Sequence, residues 1–256
     1  MKSGVCIVWS LVITSGLSTA CKQSELTPVS KNARIQSFSK AKRMMKVIYR
    51  NHRKTLYCGC PFDSEFNIEL SKCSFQPEKP TKRIRRVEWE HVVPASILGR
   101  TSSAWKNGDP RCINSKGKAY RGRRCAKKVD PIVRKMLSDL HNLFPAVGQL
   151  NNLRGNKPFG LVEGEVRAFG TCDFEIAFGR VEPATKIRGD IARTYLYMNA
   201  AYPSVKLIRD KQHAFFERWS AADPPDAWEC ERERKISQIQ GNSNPFTRTA
   251  CIRVYP

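Results

Sequence analysis

Several features of common protein classes are missing from this sequence. The apolar run from Val5 to Ile13 is too short to cross a membrane, and no later stretch approaches the roughly 20 residues that a spanning helix needs. The G-x-S-x-G motif of many serine hydrolases does not occur, and neither does an internal repeat or a low-complexity segment. These absences argue against a membrane-spanning protein, a serine hydrolase and a repeat architecture. We therefore expect a soluble globular domain.

Acidic residues and histidines are also scarce. The chain has 23 Asp and Glu residues against 45 Lys and Arg residues, which gives a formal net charge of +22. A charge of this size attracts polyanions and makes association depend on salt. Nucleic acid, anionic lipid and cell-wall polymer all fit it, so charge alone does not choose among them. The four histidines are His52, His91, His141 and His213.

The N-terminus has the layout of a secretory signal. The basic residue Lys2 precedes the apolar run, and small residues from Gly16 to Ala20 precede Cys21. This pattern predicts a signal peptide over residues 1–20 and a periplasmic or secreted protein. Lipid attachment at Cys21 is the alternative, although Ser18 is atypical for a lipoprotein signal.

Eight cysteines lie between positions 58 and 251. An even number behind a secretory signal predicts up to four disulfides, which can pair in 105 ways. Zinc binding is the alternative, but only Cys58 and Cys60 are closely spaced, and no second pair complements them. Cys112 and Cys125 bracket a basic, polar stretch within residues 99–129, which we interpret as a surface loop closed by its own disulfide.

Hydrophobic spacing predicts a helix-rich domain with a small sheet. The polar residues 21–36 indicate a flexible leader, and a single domain is expected over residues 37–256. Apolar side chains within residues 38–49 fall on one helical face, and alternation over residues 83–93 predicts a strand that ends at Pro94. Further helices are predicted from Asp130-Pro131 to Asn142 and over residues 187–201, 205–219 and 229–238.

Three parts of the chain together carry the residue types that phosphodiester hydrolysis needs, which are a base, ligands for a divalent cation and donors for the phosphate, the last offered by Arg121, Arg123 and Arg124 of the basic loop. His91 suits the base, since an unperturbed histidine is mostly neutral slightly above pH 7. Glu90 and Asn142 offer hard oxygen ligands suited to Mg²⁺. Neighbours in a strand point to opposite faces, so Glu90 and His91 can serve one site only if the strand bends or ends there.

Four longer motifs in order resemble the bacterial endonuclease I family of periplasmic and secreted nucleases. They read EWEHVVPAS at 88–96, DLHNLFPAVGQLNNLRGN at 139–156, RGDIARTYLYM at 188–198 and WECERERKISQIQGNSNPF at 228–246. The resemblance runs from about Ser37 to the C-terminus. It implies an α+β fold that contains a ββα-metal, or His-metal finger, motif. It also implies cleavage of DNA and often RNA with little sequence preference, leaving 5′-phosphate ends.

The resemblance also implies roles for individual residues. His91 matches the family's general base, and Glu90 and Asn142 match the ligands of Mg²⁺, for which Mn²⁺ or Ca²⁺ can substitute in binding. Arg123 matches the arginine that contacts the scissile phosphate, with Arg121 and Arg124 as alternatives. The expected partners are DNA and RNA, bound through the phosphate backbone by a monomer.

A non-catalytic cationic DNA-binding protein is the strongest competing interpretation. It would share the charge and the signal but would not need Glu90, His91 and Asn142 together. A cell-wall hydrolase would use paired carboxylates or a zinc site, and neither arrangement occurs. We expect His141 to be structural, His52 to be solvated and His213 to lie on a helix surface. The tryptophans that we assign to packing are Trp89, Trp219 and Trp228.

Overall fold

The computed structural model describes residues 28–164 and 167–254. The expected signal peptide and the first part of the expected leader, through residue 27, lie outside them. Residues 28–36 form no helix or strand, yet Ile35 is buried, and the buried Asn32 amide donates to the carbonyl of Lys135 at 3.1 Å. The described part of the leader is therefore packed against the domain, and ordered contacts begin before Ser37.

The first helix, α1 (Phe38–Ile48), forms where its spacing predicts it. The hydroxyl of Ser37 accepts from the backbone N–H of Lys40 and caps the N-terminus. Ala41, Met45 and Ile48 are buried at helical spacing, so the apolar face packs into the core. The opposite face carries exposed bases.

Helix α2 (Ala95–Gly99) precedes the segment expected to be a basic loop, which itself contains two short helices. These are α3 (Ser103–Lys106) and α4 (Arg123–Val129), and α4 buries Cys125 and Ala126. The loop prediction is therefore wrong for these helices, because two small apolar side chains among the bases are enough to anchor α4. The predicted helix after Asp130 is α5 (Pro131–Met136), capped by Asp130. It ends earlier than expected, and residues 140–142 form a separate 3₁₀ turn.

A small antiparallel sheet is followed directly by a helix. Strand β1 (Val87–His91) pairs with β2 (Leu143–Val147) so that His91 lies opposite Leu143. Helix α6 (Gly148–Arg154) starts at the next residue. A Cβ at Gly148 would lie 2.8 Å from the carbonyl oxygen of Arg83 and 2.9 Å from the Glu88 carboxylate. Glycine thus lets α6 start against the N-terminal half of β1.

The C-terminal part is a hairpin followed by four helices. The hairpin of β3 (Phe174–Ala177) and β4 (Arg180–Pro183) and the last helix were not predicted. The three predicted helices are present, although the second begins at Asp210 because residues 203–205 form their own 3₁₀ turn. The helices are α7 (Arg188–Ala201), α8 (Asp210–Ala222), α9 (Ala227–Gln240) and α10 (Pro245–Val254).

Four disulfides staple this mixed fold of helices and two small sheets. The predicted Cys112–Cys125 bridge is present, and the others are Cys58–Cys172, Cys60–Cys73 and Cys230–Cys251. The eight cysteines from Cys58 to Cys251, which are those among the described residues, are all paired, so none of these eight is available as a zinc thiolate. Within residues 28–164 and 167–254, no helix is both long and apolar enough to cross a membrane.

Candidate active site

His91 is the last residue of β1 and is almost fully buried. Its Nε2 lies 3.0 Å from the carbonyl oxygen of Leu137. A carbonyl can only accept, so this contact places the ring proton on Nε2 and leaves the lone pair on Nδ1. Burial, with a smaller contribution from the charge of Arg123, lowers the pKa of His91 to about 3. The imidazole is therefore neutral near pH 7, with Nδ1 able to accept a proton.

Two adjoining cavities meet at His91. The larger, of about 590 Å³, runs beside α1 and β1, and we call it the α1 cleft. The smaller, of about 250 Å³, lies beside residues 94–96 at the start of α2, and we call it the α2 pocket. Four residues line both cavities, which are Trp89, His91, Arg123 and Asn151.

Arg123 reaches this site from the first turn of α4. Its guanidinium carbon lies 5.5 Å from the ring centroid of Phe38, and that ring lies 5.2 Å from the ring of His91. The disulfide at Cys125 fixes the start of the helix. The other two candidate arginines do not line either cavity: Arg121 faces a separate pocket, and Arg124 lies over the ring of Tyr120. The geometry thus favours Arg123 as the phosphate contact.

Glu90 lines the α2 pocket beside His91. Its Oε1 accepts from the hydroxyl of Tyr57 and from the guanidinium of Arg154, both at 2.9 Å. Burial raises the pKa of Glu90, and the positive charge of Arg154 opposes that shift. Two buried donors therefore fix the carboxylate of Glu90 through its Oε1 atom.

The chain turns away from the sheet immediately after His91. The fully buried Arg154 donates to the carbonyl oxygens of His91 at 2.9 Å and Val92 at 2.7 Å. Because β1 ends at His91, the alternation of the strand no longer separates the two candidate side chains. Glu90 and His91 line the same pocket, which satisfies the geometric condition for a shared site.

Asn142 is not in this pocket. It is fully buried, its Oδ1 accepts from the backbone N–H of Val93 at 2.7 Å, and its Nδ2 donates to the carbonyl oxygen of Val93 at 3.1 Å. Both amide atoms are committed to one backbone residue. The expectation that Asn142 ligates a metal does not fit this geometry, and the residue instead fixes the segment that follows His91.

Asn151, and not Asn142, is the asparagine that lines the pocket beside Glu90. It lies on α6 and lines both cavities, and its Nδ2 donates to Glu88 Oε2 at 3.1 Å. This bond uses the amide nitrogen, so the amide oxygen is the atom of Asn151 that could bind a metal. The order of the elements in the sequence could have indicated Asn151. A helix that starts directly after β2 brings its first turns next to β1, the strand that carries Glu90 and His91.

The other three histidines and Trp89 lie in different environments. His141 Nε2 contacts the carbonyl oxygen of Asn242 at 3.1 Å, and burial lowers its pKa to about 3, which fits the structural role expected. His52 was expected to be solvated but is half-buried and stacks on Trp228 at 3.8 Å. His213 lies on the surface of α8 beside Glu217, as expected. Trp89 packs against Tyr49 but also lines both cavities, so packing describes it only in part.

The donors at the α2 pocket suit a hard divalent ion. Among the described residues, no group of three or more His, Cys, Asp or Glu side chains is arranged to hold a metal. A carboxylate from Glu90 and an amide oxygen from Asn151 nevertheless line the same pocket. Mg²⁺ keeps several waters and needs few protein ligands. The residues present therefore fit such an ion.

Comparison with known proteins gives one consistent family. The family profile described as Endonuclease I matches residues 17–251. An extracellular deoxyribonuclease of Aeromonas hydrophila is 36% identical over 222 residues, which cover 84% of this chain and 91% of that protein. A periplasmic deoxyribonuclease of the same species is 37% identical over 84% of this chain and 87% of its own. Endonuclease-1 of Buchnera aphidicola from Acyrthosiphon pisum is 36% identical over 87% of this chain and 85% of its own.

Proposed function

The chain belongs to the endonuclease I family, and we propose that it is an exported, Mg²⁺-dependent endonuclease that hydrolyses DNA and RNA without sequence preference, leaving 5′-phosphate ends. The observation that carries the proposal is the arrangement at His91. A neutral imidazole with a fixed tautomer meets Glu90, Asn151 and Arg123 at a junction of two cavities.

His91 acts as the general base. The carbonyl of Leu137 holds the Nε2 proton, so Nδ1 takes the proton from the attacking water. In the free protein, burial and the charge of Arg123 lower the pKa of His91. The negative charge of a bound phosphate favours the protonated imidazole and therefore raises this pKa again. Substrate binding thus makes His91 a better proton acceptor.

Glu90 and Asn151 hold the metal, and β1, β2 and α6 form the His-metal finger. When bound, Mg²⁺ supplies charge neutralisation at the phosphate and at the leaving oxygen. Tyr57 and Arg154 keep the Glu90 carboxylate in place through Oε1. Mn²⁺ or Ca²⁺ can substitute in binding, because both accept oxygen ligands.

Arg123 holds the phosphate while water attacks phosphorus and the bond to the 3′ oxygen breaks. The leaving 3′ oxygen takes a proton from solvent water, so the products are a 3′-hydroxyl and a 5′-phosphate. An arginine suits this role because its planar fork matches phosphate oxygens. Contacts to the backbone carry no sequence information, which explains low sequence preference and extends the activity from DNA to RNA.

Four disulfides and the extracellular and periplasmic relatives support an exported enzyme that works outside the cytosol. The expected form is a monomer, with nucleic acid as its partner.

The first test is plasmid cleavage by the purified, oxidised protein. We expect nicking with Mg²⁺, none with EDTA, and none from a His91→Ala variant whose fold has been checked by circular dichroism. Activity should also fall steeply with salt, since backbone contacts release counterions. Cleavage that EDTA leaves unchanged would overturn the metal role. Plasmid that is retarded but never cut would identify a cationic DNA-binding protein instead.

A further inference from the structure

The α1 cleft extends well beyond the residues that take part in the proposed hydrolysis. It runs beside the five residues of β1, from His91 to Val87, and α1 forms one side of it. Phe38 of α1 contacts His91 at one end, and Tyr49, just after α1, contacts Trp89 further along. Five strand residues span about 13 Å. The α1 cleft is therefore long enough for about two nucleotides of an extended strand.

Lys42 and Lys46 give the α1 side a row of positive charge. They follow Phe38 at intervals of four residues, so all three lie on one helical face, and the two lysines are about 6 Å apart along the axis. Each ammonium group lies over a ring, Lys42 at 5.3 Å from the centroid of Phe38 and Lys46 at 4.8 Å from that of Phe66. A ring contact does not neutralise a lysine, so both charges remain available to phosphates.

Two arginines of the same cleft, Arg83 and Arg86, are already paired with an acidic side chain. Arg83 and Arg86 both form ion pairs with Glu88, whose second oxygen also accepts from Asn151. Part of their charge is therefore balanced within the protein. Lys42 and Lys46, like Arg123, are instead cations of this cleft that lie over aromatic rings.

Phe66 and Trp89 form an aromatic wall beside α1, where Lys46 lies over the ring of Phe66 and the buried Phe62 packs against it. The ring centroids of Phe66 and Trp89 are 5.9 Å apart, both side chains are only partly buried, and both line the α1 cleft. Phe66 also has a positive φ of 67°, a conformation that L-residues other than glycine rarely adopt. Proteins commonly bind single-stranded nucleic acid with partly exposed aromatic rings that lie next to lysines or arginines.

We infer that the α1 cleft is the subsite for the nucleotides that flank the scissile phosphate on one side. Phosphates contact Lys42 and Lys46, and an unpaired base packs on Phe66 and Trp89. This inference rests on the proposed function, because it takes His91 as the point of cleavage. A base can reach the wall only when it is unstacked, so these aromatics favour single-stranded over duplex nucleic acid.

The phosphate contacts are tested by binding without cleavage. A fluorescein-labelled, short single-stranded oligodeoxynucleotide is titrated in EDTA, and the dissociation constant is measured by anisotropy over a range of salt. Each phosphate contact on a single strand adds about 0.7 to the slope of log K against log salt. The Lys42→Gln/Lys46→Gln double variant should lose about 1.4 from the slope, which is about 25-fold in affinity at 0.1 M salt.

A matched control is the Lys116→Gln/Lys118→Gln pair, exposed lysines of the Cys112–Cys125 loop. It removes the same charge away from the α1 cleft and should change the slope by less than half as much. Equal losses from the two pairs would mean that only net charge matters, and no loss from the cleft pair would place the strand elsewhere. Either result overturns the inference.

The aromatic wall is tested by Phe66→Leu, with Phe178→Leu as the control. Phe178 is 87% exposed at the turn of the β3–β4 hairpin, where it also has positive φ, 50°. Only Phe66→Leu should weaken single-strand binding, by about fivefold or more, with a smaller effect on duplex. Equal losses for single strand and duplex would refute base stacking. If plasmid is not cut while these binding effects appear, the proposed function fails, although the α1 cleft still binds single strands. If plasmid is cut while the binding effects are absent, the proposed function stands and the inference about the α1 cleft fails.

Discussion

The Asn142→Ala and Asn151→Ala variants should fail in different ways, the first in stability and the second in metal binding. Asn142 bonds both the N–H and the carbonyl of Val93, a fully buried residue. Asn142→Ala leaves two buried backbone groups without partners, at about 1–3 kcal/mol each. The expected loss of stability is about 2–6 kcal/mol, which lowers Tm by roughly 4–24 °C for a domain of this size. This is a large fraction of the stability of a typical domain.

Asn151→Ala should leave the fold almost unchanged. The side chain is half-buried and makes one bond to Glu88, which keeps its two arginine partners. The expected loss of stability is about 1 kcal/mol or less. Removing a metal ligand should weaken metal binding by more than the roughly tenfold that loss of an outer-shell partner causes.

Two measurements on the same samples decide between these residues. Thermal unfolding without metal gives stability, and isothermal titration with Mn²⁺ gives metal affinity without reference to turnover. We expect Asn142→Ala to be destabilised, with metal affinity retained below its Tm, and Asn151→Ala to be stable with weak metal binding. A stable Asn142→Ala variant that no longer binds Mn²⁺, together with normal binding by Asn151→Ala, would refute the reasoning and return the ligand role to Asn142.

Three further predictions concern the buried network and the disulfides. Arg154→Leu leaves the buried Glu90 carboxylate without its counter-charge and should cost about 3–5 kcal/mol in chemical denaturation, against about 1–3 kcal/mol for Tyr57→Phe; equal effects would contradict the ion-pair argument. The pKa of His141 lies near 3 when folded and near 6.5 when unfolded, so its contribution to stability is complete above pH 6.5 and is lost as pH falls toward 3. The fall of Tm over that window should be shallower in a folded His141→Gln variant, and an unchanged slope would exclude His141 as a cause. Removing Cys58–Cys172, which joins residues 114 apart, by the Cys58→Ser/Cys172→Ser double variant should cost roughly 4–5 kcal/mol in the chain-entropy picture, measured by chemical denaturation against the unaltered oxidised protein; unaltered stability would contradict this.

Local patterns predicted the parts of the site that depend on neighbours in sequence. The alternation before Pro94 predicted β1, and the structure ends that strand at His91. The spacing around α1 predicted its buried face, and the positions of Cys112 and Cys125 predicted their bridge. Each of these features is decided within a few residues, by strand alternation, helical periodicity or the closure of one loop.

The features that sequence did not predict depend on contacts between distant segments. Asn142 and Asn151 are both asparagines within the same motif, and only the pairing of β2 with β1 decides which one faces the pocket. The role of Arg154 was also hidden, because an arginine at the end of a helix usually indicates an exposed charge. Its burial follows from three acceptors, Glu90 and two backbone carbonyls, that come together only when α6 packs on the end of β1.

The same contacts explain how adjacent residues of a strand can serve one site. Arg154 binds the carbonyls of His91 and Val92, while Asn142 binds both backbone groups of Val93. The three residues after Glu90 are therefore fixed from two sides, by one residue that precedes β2 and by another that ends α6. Alternation would send Glu90 and His91 to opposite faces in a continuing strand. Because the chain leaves the sheet directly after His91, a carboxylate and a neutral imidazole can line one pocket, and the precision of the site depends on two buried side chains, Arg154 and Asn142, that line neither cavity.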